Sequence, residues 1–176
     1  MLLYVSFFLF WFNHIYIILQ FYKNSSKFEA DVGAANETVT FEINGANYTR
    51  ISDENGTARL NINLNPGEYI LAALDPLTGL VMSYNITVLP VLTADEIDMA
   101  YKDGTQFRAK LVDGKGNSLE NVGITFNING VFYTRYTNSS GIACLNINLM
   151  PGEYIITLQY GNVVISNKIT ISLKKD

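Results

Sequence analysis

The chain has 176 residues, with 12 Lys and Arg against 16 Asp and Glu for a formal charge of −4, and it holds one cysteine and one histidine. No basic cluster exists to neutralise a phosphate backbone, which argues against nucleic acid as a partner. A single Cys144 excludes an intrachain disulfide and a Cys-based zinc site, and with the sole His14 in the first segment no Ser-His-Asp or Cys-His pairing can be assembled elsewhere.

The first segment, from Met1 to Phe21, contains no Lys, Arg, Asp or Glu. At 1.5 Å of rise per helical residue it is long enough to cross a hydrocarbon layer of about 30 Å. Residues 1–21 are therefore expected to form a hydrophobic helix, a transmembrane or anchoring leader that would make the chain's contact with a membrane. A cleaved signal peptide is disfavoured, since no basic residues precede the apolar run, Asn13 and His14 interrupt it, and no small-x-small site follows directly. Lys23 and Lys27 vote weakly for a cytoplasmic remainder.

From Tyr22 onward the sequence repeats. Residues 41–70 lie over 126–155 without a gap and agree at roughly two-thirds of positions, the mark of tandem modules. "LNINLNPGEYI" from Leu60 returns as "LNINLMPGEYI" from Leu145, and "YKNSSKFEA" at Tyr22 returns as "YKDGTQFRA" at Tyr101. The expected domains are a shortened module at 22–91, which lacks the "DGKGNS" of Asp113 to Ser118, and a second module at 92–176.

Within a module the period is two. Ala58, Leu60, Ile62 and Leu64 alternate with Arg59, Asn61, Asn63 and Asn65, which predicts a strand with one buried and one wet face. Asn44-Gly45 and Asn129-Gly130 sit between strand-like runs and predict two-residue hairpins of type I′, with Ile43 opposite Ala46 and Phe41 opposite Tyr48. Pro-Gly at Pro66 and Pro151 makes a further turn. In the second copy the runs predict strands near Met99 and over 107–112, 123–129, 132–137, 142–149, 154–160 and 164–172. No stretch of either module carries a capped helical stripe. The predicted fold is all-β: two tandem antiparallel β-sandwich modules after the N-terminal helix.

The "NG" hairpin, the "G-x-A-x-L-N-I-N-L" strand and the "PGEY" turn together resemble the tandem immunoglobulin-like (Ig-like) repeats of adhesin-like surface proteins of methanogenic archaea, and more loosely bacterial invasin-type Ig-like modules. The resemblance covers nearly everything after the leader. It implies an extracellular stalk or adhesive array at a cell surface and carries no catalytic motif.

Chemistry-bearing residues are few, and no catalytic, cofactor or metal site is expected. Six Asn-x-Ser/Thr sequons occur, at Asn24, Asn36, Asn47, Asn55, Asn85 and Asn138. Asn47 and Asn85 fall on outward strand positions and Asn55 and Asn138 in turns, where a glycan fits. Asp53, Glu54 and Asn55 supply oxygens, but the second copy has no carboxylate there and one short loop cannot surround a calcium ion, so a plain turn is expected. Asp95, Glu96 and Asp98 are placed in the linker as a solvated face. Phe132 and Tyr136 are expected to point outward, with Val131, Tyr133 and Arg135 inward. They form a candidate aromatic contact patch for a protein or glycan partner, weighed against the plainer reading of packing on a neighbouring module. Cys144 takes the outward place of Arg59, and Tyr69 and Tyr154 are expected to anchor the sandwich edge through their phenols. The functional expectation is a non-enzymatic surface protein whose modules act as stalk or adhesive spacer. The alternatives are a carbohydrate-binding accessory module, requiring Phe132, Tyr136 and Tyr160 on one exposed ridge, and a non-functional fragment of a longer repeat protein.

Overall fold

The computed structural model describes residues 17–22 and 26–174, and the chain divides into two compact units between Leu89 and Pro90. Every regular element among the described residues is a strand.

The first unit contains β1 (Ile17–Phe21), β2 (Ser26–Asp31), β3 (Thr38–Ile43), β4 (Ala46–Ile51), β5 (Thr57–Ile62), β6 (Gly67–Leu74) and β7 (Val81–Leu89). One sheet runs β1-β7-β6-β3-β4, and the pair β2-β5 forms the other. Alternation does the building. Val39, Phe41 and Ile43 of β3 meet Ala58, Leu60 and Ile62 of β5 in one buried cluster with Phe28, Leu71, Ile86 and Val88, while intervening residues stay wet. Phe28 and Phe41 bridge the two sheets edge to face, with centroids 5.8 Å apart.

The second unit contains β8 (Leu92–Ala94), β9 (Ile97–Ala100), β10 (Gln106–Leu111), β11 (Gly123–Ile128), β12 (Val131–Tyr136), β13 (Ile142–Asn146), β14 (Gly152–Tyr160) and β15 (Val163–Ser172). Its sheets are β12-β11-β14-β15-β9 and β13-β10-β8. Phe107 and Phe126 repeat the bridge at 6.3 Å. In both units the first strand of the larger sheet runs parallel to the last, β1 with β7 and β9 with β15, while every other pairing is antiparallel.

Two glycine positions show why the frame repeats at residue level. Asn44 and Gly45 take φ of 54° and 74°, and Asn129 and Gly130 take 52° and 78°, so both hairpins are type I′ with the predicted register. Gly56 and Gly141 also have positive φ and pass against the strand beside them: Gly56 O accepts from Val32 N at 2.9 Å, and Gly141 O from Leu111 N at 2.8 Å. A Cβ on Gly56 would lie 2.8 Å from the Ala34 nitrogen, and one on Gly141 would strike the Leu111 carbonyl oxygen.

The structure corrects four expectations. The hydrophobic helix over 1–21 does not form as expected, because Ile17 to Phe21 are extended and pair in parallel with Asn85 to Leu89. No described helix is long and apolar enough to cross a membrane, and the rest of the expected leader, 1–16, lies outside the described residues. Parallel pairing satisfies the backbone of 17–21 through β7, and Tyr22 N continues it by donating to Leu89 O at 2.8 Å. A strand too short to predict, β8, adds to β10 through Leu92↔Leu111 and Ala94↔Ala109. Asp95 and Glu96 therefore stand between β8 and β9, and Asp98 on β9, inside the second unit. Finally, Val131 and Arg135 are exposed, because β12 is the outermost strand of its sheet and only the half-buried Tyr133 reaches the core.

Candidate functional site

The outer face of each five-stranded sheet, with the strand at its margin, carries Phe132, Tyr136, Asn47 and Asn85. Register places the candidates residue by residue. In the second unit Phe132 stands opposite Asn127, which stands opposite Thr157, and Thr134 opposite Thr125 and then Gln159. The face is thus a neutral strip of hydroxyls and amides with an aromatic side chain at each end of β12. Phe132 is 65% exposed and Tyr136 67%, on one side of the strand and about 13 Å apart at the rise of an extended chain. Tyr136 leans over Gly123, where an added Cβ would lie 3.5 Å from its ring. Charge enters at the far end of the face, where Lys168 Nζ meets Glu153 Oε1 at 2.6 Å, the contact that chiefly raises the lysine's pKa, and where exposed Asp98 stands opposite Thr170.

Tyr160 does not join this ridge. It is half-buried against the core, so a three-aromatic platform is not built.

In the first unit the same β-strand positions carry Asn47 and Ile51, opposite Glu42 and Thr38. Asn47 and Asn85 are exposed, and Asn85 lines an open groove of about 720 Å³ together with Ile70, Ala72, Glu42 and Glu68. Asn55 is exposed in its turn, and Asn138 is exposed too, although its Oδ1 already accepts from Ser140 N and Ile142 N at 3.0 Å each. The Nδ2 that would carry a glycan is the other half of that amide.

Asp53 holds the Asn138 position of its own unit. Its Oδ1 accepts from Asn55 N at 2.9 Å and Thr57 N at 3.1 Å, and Arg59 takes Oδ2. The hydrogen bond from Arg59, followed by that from Thr57, lowers the Asp53 pKa. Its oxygens are committed to closing a turn, as Asp113 Oδ1 is by Lys115 N and Asn117 N. Among the described residues no cluster of three His, Cys, Asp or Glu could hold a metal ion. Cys144 is half-buried opposite Arg108. The expected tyrosine anchors are present: Tyr69 Oη donates to Asn65 O at 2.8 Å and Tyr154 Oη to Met150 O at 2.9 Å. A tyrosine that turns back at the start of this strand to bond backbone a few residues upstream marks Ig-type sandwiches.

Sequence reasoning missed a pair of contacts at the edge strand. Arg50 Nη1 donates to Thr49 O at 2.6 Å, and Arg135 Nη1 to Thr134 O at 2.8 Å. The available signal was the triplet Tyr-Thr-Arg, unchanged at 48–50 and 133–135 on strands whose other residues differ.

No family model matches the chain, and no curated protein does. Among solved structures it is similar to the I9–I11 tandem of titin, at 17% identity and TM-score 0.40 over 92% of this chain and 65% of that one. Invasin, a bacterial integrin-binding protein, aligns at 18% identity and TM-score 0.34 over 86% of this chain and 36% of that one. A 1.5-MDa bacterial ice-binding adhesin aligns at 14% identity and TM-score 0.32 over 89% and 61%. The chain spans less than two-thirds of the length of each. The Ig-like assignment rests on the strand order and the tyrosine anchors themselves.

Proposed function

We propose that this chain is a non-enzymatic display element at a cell surface, in which Ig-like sandwiches act as stalk or adhesive spacer. One observation carries the reading: the two units share the residues that set turns, bridge the sheets and anchor the sandwich edge, while several outward positions differ. The Asn-Gly hairpin, the bridging phenylalanine pair, the close-packed glycine and the tyrosine anchor are shared, whereas Asn47 is replaced by Phe132, Ile51 by Tyr136 and Arg59 by Cys144. A frame held constant under a varied surface suits an array that presents contacts rather than one that assembles a reaction centre. The resemblance to methanogen adhesin-like repeats supports the surface location and the archaeal setting, and the exposed sequons at Asn47 and Asn85 fit export.

The exposed pair Phe132 and Tyr136, set in an uncharged polar face, favours a glycan as the ligand of an adhesive surface, since aromatic rings stack on sugar rings while hydroxyls and amides bond their oxygens.

The test is surface labelling of intact native cells with an impermeant amine reagent, followed by intact-mass measurement of the recovered chain. Labelled lysines, with extra mass removable by deglycosylation, are expected. Recovery of an unlabelled and unmodified chain from the cytosol would overturn the proposal.

A further inference from the structure

The margins of the two larger sheets carry an inference that does not depend on the proposed function. Among the described residues β4 pairs only with β3, and β12 only with β11. Each margin is a six-residue strand that leaves its residues exposed on both faces, apart from the half-buried Tyr133. An uncovered edge of this kind is a template on which another strand can add.

Hairpin geometry fixes which backbone groups are open. In a two-residue hairpin the residues flanking the turn exchange hydrogen bonds, and bonded pairs then alternate with unbonded ones. Val131, Tyr133 and Arg135 therefore spend their N–H and C=O on β11, while those of Phe132, Thr134 and Tyr136 point to the open side. The bond from Thr137 N to Val122 O at 3.0 Å falls in the same phase. In the first unit the open groups belong to Asn47, Thr49 and Ile51, and the bond from Ser52 N to Glu37 O at 2.9 Å confirms that phase.

This open row is complementary to itself. A second copy laid antiparallel with Thr134 opposite Thr134 sets Phe132 opposite Tyr136 on the outer side and Tyr133 opposite Arg135 on the other. The directly opposed residues are then two aromatics, two threonines, or an aromatic with a cation, all favourable cross-strand pairs. All three open residues then fall at positions where two strands exchange bonds. Residues 47–51 offer the same open backbone row, centred on Thr49, with Asn47 opposite Ile51 and Tyr48 opposite Arg50.

The central carbonyl of each row is the one already taken. Arg135 Nη1 holds Thr134 O at 2.8 Å, and Arg50 Nη1 holds Thr49 O at 2.6 Å. Arg135 is also drawn back over its own strand by Tyr133, whose ring centroid lies 5.7 Å from the guanidinium carbon. The neighbours Ala46, Asn47 and Ile51 became Val131, Phe132 and Tyr136, yet Tyr-Thr-Arg stayed, although none of the three is fully buried in either unit. We propose that Arg50 and Arg135 are edge guards: each caps the carbonyl at the centre of an open, self-complementary strand and so prevents a second copy of this chain from adding to the sheet.

The experiment compares the full chain with its Arg50→Ala and Arg135→Ala double variant, in one buffer and detergent, by sedimentation and residue-resolved amide exchange. The double variant is expected to self-associate at least tenfold more tightly. Exchange at Phe132, Thr134 and Tyr136, and at Asn47, Thr49 and Ile51, should slow with rising concentration, while Tyr133 and Arg135 are unchanged. Adding Thr49→Pro and Thr134→Pro, which remove the central donors without touching bonds inside either unit, should restore the original behaviour. A double variant that sediments like the unmodified chain overturns the proposal. So does association that the prolines fail to reverse, because it then arises from unfolding and not from the strand edge.

Discussion

Gln20 and Met99 occupy one place in two copies of one frame, and the molecule treats them very differently. Gln20 pairs with Val88 as Met99 pairs with Ile171, both point into a core, and their exposures are 4% and 5%. Met99 fills its site with apolar atoms, but Gln20 buries a carbonyl oxygen, Oε1, that has no hydrogen-bond partner among the described residues. A second difference lies further along the strands they pair with. Tyr84 stands opposite Leu71 as Asn167 stands opposite Ile156. Asn167 reaches across to β8, its Nδ2 donating to Ala94 O at 2.7 Å while its own buried Oδ1 has no partner among the described residues, whereas Tyr84 packs its ring edge-on against Phe28 at 4.7 Å. Backbone pairing therefore dictates the frame, and side chains at equal positions are left to fit it well or badly.

The largest effects test whether the frame is common. Phe41 and Phe126 are both fully buried and both bridge to the opposite sheet. Replacing either with alanine is expected to destabilise its own unit by about 3–5 kcal/mol. Denaturant unfolding followed by amide exchange in β3 and β11 separates the two responses. A cost below about 1 kcal/mol at Phe41 alone would break the equivalence and mark the first core as loosely packed.

Next comes the mismatch itself. An unpaired buried amide oxygen costs about 1–3 kcal/mol, so Gln20→Met should stabilise the first unit by an amount in that range and Met99→Gln should cost the second a similar amount. Exchange at the β1–β7 and β9–β15 amides reads both changes. If Gln20→Met leaves the first unit unchanged, Oε1 is satisfied in solution and the comparison loses its sharpest term.

The same pairs show what was legible in the sequence and what was not. Alternation at Ala58, Leu60 and Ile62, and the doubled Asn-Gly, fixed strands, register and the buried side because a period of two and a positive φ leave few alternatives. Residues 17–21 were misread because an apolar run without polar alternation suits a helix and a buried strand equally, and only pairing with β7 distinguishes them. β8, at three residues, is too short to show a period. Phe132 and Tyr136 are exposed, but so are Val131 and Arg135, which were expected inward, since alternation cannot tell a central strand from a marginal one. That is a property of sheet order, and with it went the contacts of Arg50 and Arg135 to their own strands.

The smallest expected effect separates two turns that share a shape. Asp53 and Asn138 close equivalent turns by accepting from the second and fourth residues that follow, yet only Asp53 titrates. Its pKa lies below the ordinary 3.8, chiefly through the Arg59 hydrogen bond. Because the folded value is depressed, its contribution is present above the unfolded pKa and is lost as pH falls through the lower folded value. The amide resonances of Asn55 and Thr57 should therefore move on acidification below about pH 4, while those of Ser140 and Ile142 stay in place. The carboxylate is exposed and the turn local, so global stability should scarcely change. Asp53→Asn should make the first turn as indifferent to acid as the second. If Ser140 and Ile142 move alongside Asn55 and Thr57 in the unmodified chain, the response is a general loosening of both units rather than the titration of one turn.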